Sequence, residues 1–341
     1  MRPAVLDELR VLIVVDNETD TLSSVGEGVP QQPELFGQIA RAPRHAIGDH
    51  VCCEPFGNLC VACHGFSALV TARSGDASHT VLFDVGPYSA VWLDNAHRLG
   101  ISLASIERVF LSHWHFDHSG ALPDVVQAIA GERRRSGLPA PVVDLHPDRP
   151  DQRGLMLPDS SLVLLPPEPT LEALRAVGAD IELHAEPHVI DGLFYASGAI
   201  SRQTAYETGL AGHHSVRAGV VSPDPLIMDE RFLAAEVAGR GVTVLSACSH
   251  AGIVNASLAA AAAFDEAPID LLVGGYHLAG KVMEERIAMT VRDLAERVRP
   301  KLVGPGHCTG WRAKAALAQQ FQPSHYAPSV VGSVYHLRAA Q

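Results

Sequence analysis

The sequence predicts a mixed fold of the α/β (α+β) class, with strands layered against helices. Three observations carry this. Short apolar runs such as Val11–Val15, Thr80–Phe83, Val109–Leu111, Val242–Ser246 and Ile269–Val273 stop abruptly at polar or glycine-rich turns, as buried strands do. Helical stretches lie between them: Ala90–Leu99 halted by Gly100, Asp124–Ala130 after Pro123, and Glu284–Val298, where Met283, Ile287, Val291, Leu294 and Val298 recur at three- and four-residue spacing. In the second half, moreover, three strands in succession end in a histidine with glycine close by, and strand ends on one edge of a sheet converge on a shared crevice.

The first strand, Val11–Val15, closes at Asp16-Asn17. Residues 19–50, rich in glycine, proline and charge, read as a loop or insertion. Ser67–Thr71 and Thr80–Phe83 follow as strands, the second closed by Asp84-Val85-Gly86, and a β-β-α-β-α order then runs to Ala130. Residues 136–230 are less regular. Val142–His146, Ser161–Leu165 and Ile181–His184 read as strands interrupted by proline-rich segments, which is the pattern of loops that cover a site. From 231 the strand–helix alternation returns and leads to Gly304-Pro305-Gly306-His307-Cys308-Thr309-Gly310.

With 47% hydrophobic and 19% charged residues, the 341-residue chain can bury a large core. A formal charge of -12 disfavours nucleic acid or an anionic membrane as principal partner, since both select a basic face. The start of the chain carries Asp7, Glu8 and Arg10 where a signal peptide needs an apolar core, and no apolar run approaches the ~18 residues of a membrane span, so a cytoplasmic protein is expected. Six cysteines in a chain this long are too sparse for a disulfide scaffold. Cys60-x-x-Cys63-His64 matches a haem-attachment pattern by accident, at the start of a strand and without an export signal.

The chemistry concentrates in His113-Trp114-His115-Phe116-Asp117-His118, directly after the apolar run Val109–Leu111. Alternate side chains at a strand end point the same way, so His113 and His115 can meet on one ion, while Asp117 and His118 on the turn beyond can serve a second. Three histidines and a carboxylate in six residues make a poor core and an odd surface. Imidazole with one carboxylate suits zinc first, with manganese and iron also admissible, giving one or two divalent ions. A catalytic ion needs about three protein ligands, and His250 and His307 are the natural completions. Asp84, at a neighbouring strand end, is expected to accept a hydrogen bond from a metal-bound imidazole. His184 reads as solvent-facing, and His213-His214, in a glycine-rich loop, reads as unconnected with metal.

His-x-His-x-Asp-His resembles the signature of the metallo-β-lactamase superfamily. Val15–Thr19, His64–Ser67, Phe83–Gly86, Leu111–Leu122, Leu145–Pro147, Cys248–Asn255, Gly274–Leu278 and His307–Gly310 together are similar to one branch of it, the dihydropterin-ribofuranosylaminobenzene phosphate synthases and the related metal-dependent hydrolases. The resemblance runs from residue 11 to about 310 and implies a four-layer αββα sandwich with the metal site between the sheet edges. It implies one domain over residues 1–341, with loop-rich insertions at about 19–50 and 147–230 covering the site. It assigns His250 to the first ion with His113 and His115, and His307 to the second with Asp117 and His118.

Two departures from the branch stand out. The strand that usually delivers a carboxylate bridging both ions ends here in Gly274-Gly275-Tyr276-His277, and Asp270 lies at its far end; the second ion is therefore expected to bind more weakly, with His277 as a substitute ligand or a substrate-facing acid. Cys63 stands where an acid is expected before His64-Gly65.

The implied activity is hydrolysis of an ester, phosphoester or related small molecule, or transfer in pterin synthesis. Asp117 would accept a proton and His277 would face the substrate, while Asp84, His64, His277 and Cys308 would serve as supporting or substrate-binding residues. The expected partner is a small molecule, phosphorylated or pterin-like, with oligomeric state open. The alternatives are a di-iron redox enzyme, although such members carry glutamate where this chain has His115, and a metal- or pterin-binding protein without catalysis.

Overall fold

The computed structural model describes residues 2–340, with Gln322 described by its backbone alone. Two large sheets face each other. The first orders its strands Asp180–Leu183, Val142–Leu145, Arg108–Phe110, Ala77–Phe83, Ser67–Ser74, Glu8–Val15, Val334–Arg338, Gln31–Gln32. The second orders His188–Ile190, Phe194–Ala196, Leu233–Val237, Gly241–Ser246, Ile269–Gly275, Leu302–Gly306. Strand periodicity explains the layering. In Glu8–Val15, Leu9, Val11 and Ile13 join Val70, Phe83, Leu245, Leu271 and Val273 in the core between the sheets, while Leu12 and Val14 face the other way.

The outward faces are covered by helices. Ser89–Arg98 and Leu122–Arg135 pack on the first sheet through Trp92, Val125, Val126 and Ile129. Ile253–Ala263, Ile287–Asp293 and Trp311–His325 pack on the second through Val254, Ala256 and Leu317 among others. The order of layers is thus αββα, as expected. The amphipathic stretch read as one helix over Glu284–Val298 is broken into Lys281–Glu284, Ile287–Asp293 and a π-turn Leu294–Val298, which ends at Arg299 in the left-handed region.

Residues 19–50 depart from the loop reading. Gln31–Gln32 extends the first sheet, Glu34–Arg41 is a helix, and His45–Ile47 pairs with His50–Cys52. The helix is held by polar contacts that leave no periodic trace in sequence: Gln38 Nε2 donates to the carbonyls of Asn58 and Arg98, and Glu34 accepts from the Cys60 amide. Residues 147–230 add a third sheet, Leu162–Leu164, Gln152–Met156, His213–Arg217, Val220–Pro223. No helix of the described residues is long and apolar enough to cross a membrane.

Candidate metal centre

The parallel strands of both sheets deliver the site from their C-terminal ends, where side chains leave the sheet toward a common crevice. Past Arg108–Phe110 the chain alternates. His113 and His115 turn to the crevice, and Trp114 between them turns into the core, where its indole donates to the His146 carbonyl at 2.9 Å. Two buried arginines anchor this loop, Arg153 donating to the Trp114 carbonyl at 2.8 Å and Arg231 to the Leu111 carbonyl at 2.7 Å. Neither anchor is visible in sequence, because each arginine is held in place by a distant carboxylate, Asp229 and Asp144.

Three ring nitrogens converge: His113 Nε2 lies 3.0 Å from His115 Nδ1, which lies 3.1 Å from His250 Nε2. The opposite nitrogens fix the tautomers. Ser112 Oγ donates to Asp84 Oδ2 at 2.7 Å, so it accepts from His113 Nδ1–H at 2.8 Å and leaves Nε2 with a lone pair. His213 Nδ1–H donates to the Asp224 carbonyl at 2.7 Å, so its Nε2 accepts from His115 Nε2–H at 2.9 Å and leaves His115 Nδ1 free. Burial, reinforced by neighbouring imidazoles, holds the pKa values of His113 and His250 well below the ordinary value; for His115 the added push comes from Arg153 and His213. The three rings are therefore neutral, as metal ligands must be.

Asp117, His118 and His307 form the second half. Asp117 Oδ2 is 3.6 Å from His118 Nε2, 3.2 Å from His307 Nε2 and 3.3 Å from His64 Nε2. His118 Nδ1 donates to Asp84 at 2.8 Å and His307 Nδ1 to Asn17 Oδ1 at 3.0 Å, again turning Nε2 inward. His118 Nε2 is buried and has no hydrogen-bond partner. Burial lowers the His118 pKa, but the Asp117 charge and the Asp84 hydrogen bond override it and hold it up at about 9. Negative potential is thus focused on that nitrogen, where a cation can replace the proton. Burial works to raise the Asp117 pKa, yet the His118 charge and hydrogen bonds from His307 and His64 keep it well below the carboxylate range. So depressed a carboxylate is a weak base, which favours the ligand role over the expected proton-accepting one. The donor set fits one or two divalent ions: His113, His115 and His250 for one, and Asp117, His118 and His307 for the other.

The remaining expected residues lie close by. Asp84 accepts from the Ser112 amide, the Ser112 hydroxyl and His118, linking both halves. His64 is exposed and hydrogen-bonds Asn17 as well as Asp117. His277 places Nδ1 3.4 Å from Cys248 Sγ, and Cys308 Sγ is 3.2 Å from the same sulfur. Asp84, His277 and His307 all adopt φ between 43° and 55°, the strained left-handed region that clusters at functional sites.

Two histidine readings need correction. His213, read as unconnected with metal, sits directly behind His115; the signal lay in its strand, where His213 and Ser215 alternate inward beside Leu155 of the neighbouring strand. His184 is not simply solvent-facing either, since it stacks on His188 at 3.9 Å and lies 3.4 Å from buried Asp144.

The crevice opens into a cleft of ≈ 910 Å³ with apolar walls from Tyr88, Phe116, Leu155, Val163, Leu165 and Trp311. Residues 154–166 and 210–213 contribute one wall, and among the described residues nothing from 19–50 reaches it. No lysine or arginine among the described residues lines the cleft.

Two stacked sheets between helices, with a histidine-rich cluster at their strand ends, define an αββα sandwich that carries a candidate metal centre. Comparison with known proteins agrees. The family described as "Metallo-beta-lactamase superfamily" matches residues 61–225. A Methanocaldococcus jannaschii protein named 7,8-dihydropterin-6-methyl-4-(beta-D-ribofuranosyl)-aminobenzene-5'-phosphate synthase is 28% identical over 263 residues, 76% of this chain and 85% of its own. An uncharacterized protein of the same organism, MJ0448, is 26% identical over 258 residues, 75% of this chain and 88% of its own.

Among solved structures, Tm1679, described as a metal-dependent hydrolase of the beta-lactamase superfamily, superposes with a TM-score of 0.67 at 23% identity, covering 98% of this chain and all of the other. The metallo-beta-lactamase fold protein YhfI from Bacillus subtilis gives a TM-score of 0.50 at 11% identity over 97% of this chain and all of its own. Over residues 61–225 the chain is thus similar to the metallo-β-lactamase superfamily, and its fold as a whole is that of these solved structures.

Proposed function

We propose that the protein is a metal-dependent hydrolase of small molecules, using one or two divalent ions, zinc first among them. The observation that carries this reading is the convergence of two ligand triads whose opposite nitrogens are mostly fixed by partners, at the floor of the cleft. Bound there, a divalent ion supplies Lewis acidity and lowers the pKa of water toward neutrality. The chain's own contribution is orientation. Asp84, Asn17 and His213 lock the ligand rings, and the apolar walls exclude water and seat the non-reacting part of the substrate. Burial works to lower the His277 pKa, but the Cys308 sulfur and the Glu230 charge raise it above the ordinary value, which favours a ring that donates a hydrogen bond to a developing oxyanion.

The similarity to the M. jannaschii synthase supports a second reading, a group transferase on a pterin-like compound. The cleft separates the two. With no lysine or arginine in its described lining, a phosphate would have only the ions and His277 to meet it, which favours a largely uncharged, aromatic or aliphatic ester or lactone. The net charge of -12 supports a small-molecule substrate over nucleic acid or membrane.

The deciding experiment is metal analysis of the purified protein followed by turnover of lactone, ester, thioester and phosphodiester panels, with His115→Ala and His118→Ala in parallel. Loss of metal and turnover together in both variants is the expected result. Turnover that survives metal removal would sink the reading.

A further inference from the structure

The usual bridge between the two halves of such a site is a carboxylate from the end of the strand that here is Ile269–Gly275. That route is closed. A Cβ on Gly275 would meet Cys308 Sγ at 2.6 Å, the Ala247 carbonyl oxygen at 2.5 Å and His307 Cδ2 at 3.1 Å. The space a longer side chain would cross is filled by sulfur.

The sulfur of Cys248 occupies the middle. It is buried, lines the floor of the cleft, and lies within 4.8 Å of ring nitrogens of His113 and His118, of His250 and His277, and of His307. Donors of both triads therefore surround one thiol: His113 and His250 from the first, His118 and His307 from the second. Cys308 Sγ lies 3.2 Å from it, His277 Nδ1 3.4 Å and His307 Nε2 3.8 Å. The buried Nε2 of His118 has no hydrogen-bond partner and belongs to the same cluster, as an atom awaiting a ligand would. Strand geometry keeps Cys248 there: Gly241–Ser246 ends two residues earlier, the amide of His250 is held by Glu230 at 2.7 Å, and Ser249 Oγ donates to the Gly275 carbonyl at 2.7 Å.

We propose that Cys248 is a metal ligand shared by both halves of the site, taking the place of the missing bridging carboxylate, with Cys308 as its hydrogen-bonding neighbour. The inference rests on the metal-site reading above. On ligation the S–H bond breaks, its proton passes to buffer, and a sulfur lone pair forms the metal–sulfur bond, so no oxidant or reductant is involved. A thiolate is a soft donor and selects zinc or cobalt over manganese.

The test is cobalt substitution of the full-length, reduced protein. A near-ultraviolet thiolate-to-cobalt charge-transfer band is expected in the unaltered protein and in Cys308→Ser, and should vanish in Cys248→Ser, whose preference for zinc over manganese in competition should also narrow. A band that survives in Cys248→Ser, or is lost only in Cys308→Ser, overturns the proposal. Should Cys248→Ser fail to fold, zinc-edge X-ray absorption of the unaltered protein decides, because a sulfur shell near about 2.3 Å is required and its absence overturns the proposal. Metal bound without any sulfur signal refutes the thiolate while leaving the metal site intact; failure to bind cobalt or zinc at all refutes both.

Discussion

His213 and His115 meet through their Nε2 atoms at 2.9 Å, and since His213 donates its single ring N–H, on Nδ1, to the Asp224 carbonyl, the contact dictates which nitrogen of His115 faces the crevice. Removing such a partner typically costs about 10–100-fold in metal affinity. His213→Ala is expected to weaken binding at the first half by that factor, measured by chelator competition, and His213→Gln, which keeps an acceptor, should recover part of it. Unchanged affinity in the alanine variant would separate His213 from the metal site.

Asp84 serves both halves at once, through Ser112 and His118. Asp84→Ala strands a buried hydroxyl and a buried imidazole, so it should lower stability by about 3–5 kcal/mol and reduce metal content in both halves. Urea unfolding and metal analysis report the two effects separately. Loss confined to one half would limit Asp84 to that half.

Acid sensitivity should centre on Asp144. Burial works to raise its pKa, but His188 Nε2 at 2.8 Å and Arg231 Nη1 at 2.9 Å overcome it and hold the carboxyl far below the ordinary range. A depressed native pKa means that the contribution is whole above the unfolded value of about 3.9 and drains away as pH falls toward the native value. Urea midpoints should therefore hold from neutrality to about pH 5 and drop below it. Asp144→Asn should start lower and lose less over the same range; an identical acid slope would reassign the effect.

Trp311 is 70% exposed and lines the cleft, whereas Trp92 and Trp114 are fully buried. Trp311→Ala should leave thermal unfolding within about 0.5 kcal/mol of the parent. It should raise KM for an apolar substrate by about 5–30-fold, the range of a rim aromatic worth 1–2 kcal/mol. Quenching of the exposed tryptophan's fluorescence by such a ligand offers an independent check, and no change in KM would remove the apolar wall from recognition.

What was legible in the sequence follows from what is local. His113, His115, Asp117 and His118 lie within one turn of a strand end, and the strand–helix alternation that implies the layers is a short-range pattern. His250 and His307 were accessible because each closes a strand of its own. His213 was not, since its partner is 98 residues away on another sheet and no periodicity encodes that meeting. The helix Glu34–Arg41 was hidden for a related reason: its inward contacts, Glu34 and Gln38, are polar, and a polar inner face looks like a loop. The absence of a carboxylate at the end of Ile269–Gly275 was visible, but the approach of a thiol from a neighbouring strand end depends on packing between two strands.

Asn17 accepts from His307 while Asp16 accepts from the His307 backbone amide at 2.8 Å, contacts that span 290 and 291 residues of chain. The first strand also pairs with Val334–Arg338 along five residues. The orientation of His307 in the second ligand triad therefore depends on a segment about 290 residues away, whereas His113 and His115 directly follow their own strand, Arg108–Phe110. Two segments so far apart in sequence meet late in folding, because the entropy of closing that loop is lost before their contact is gained, so the second triad takes shape after the first.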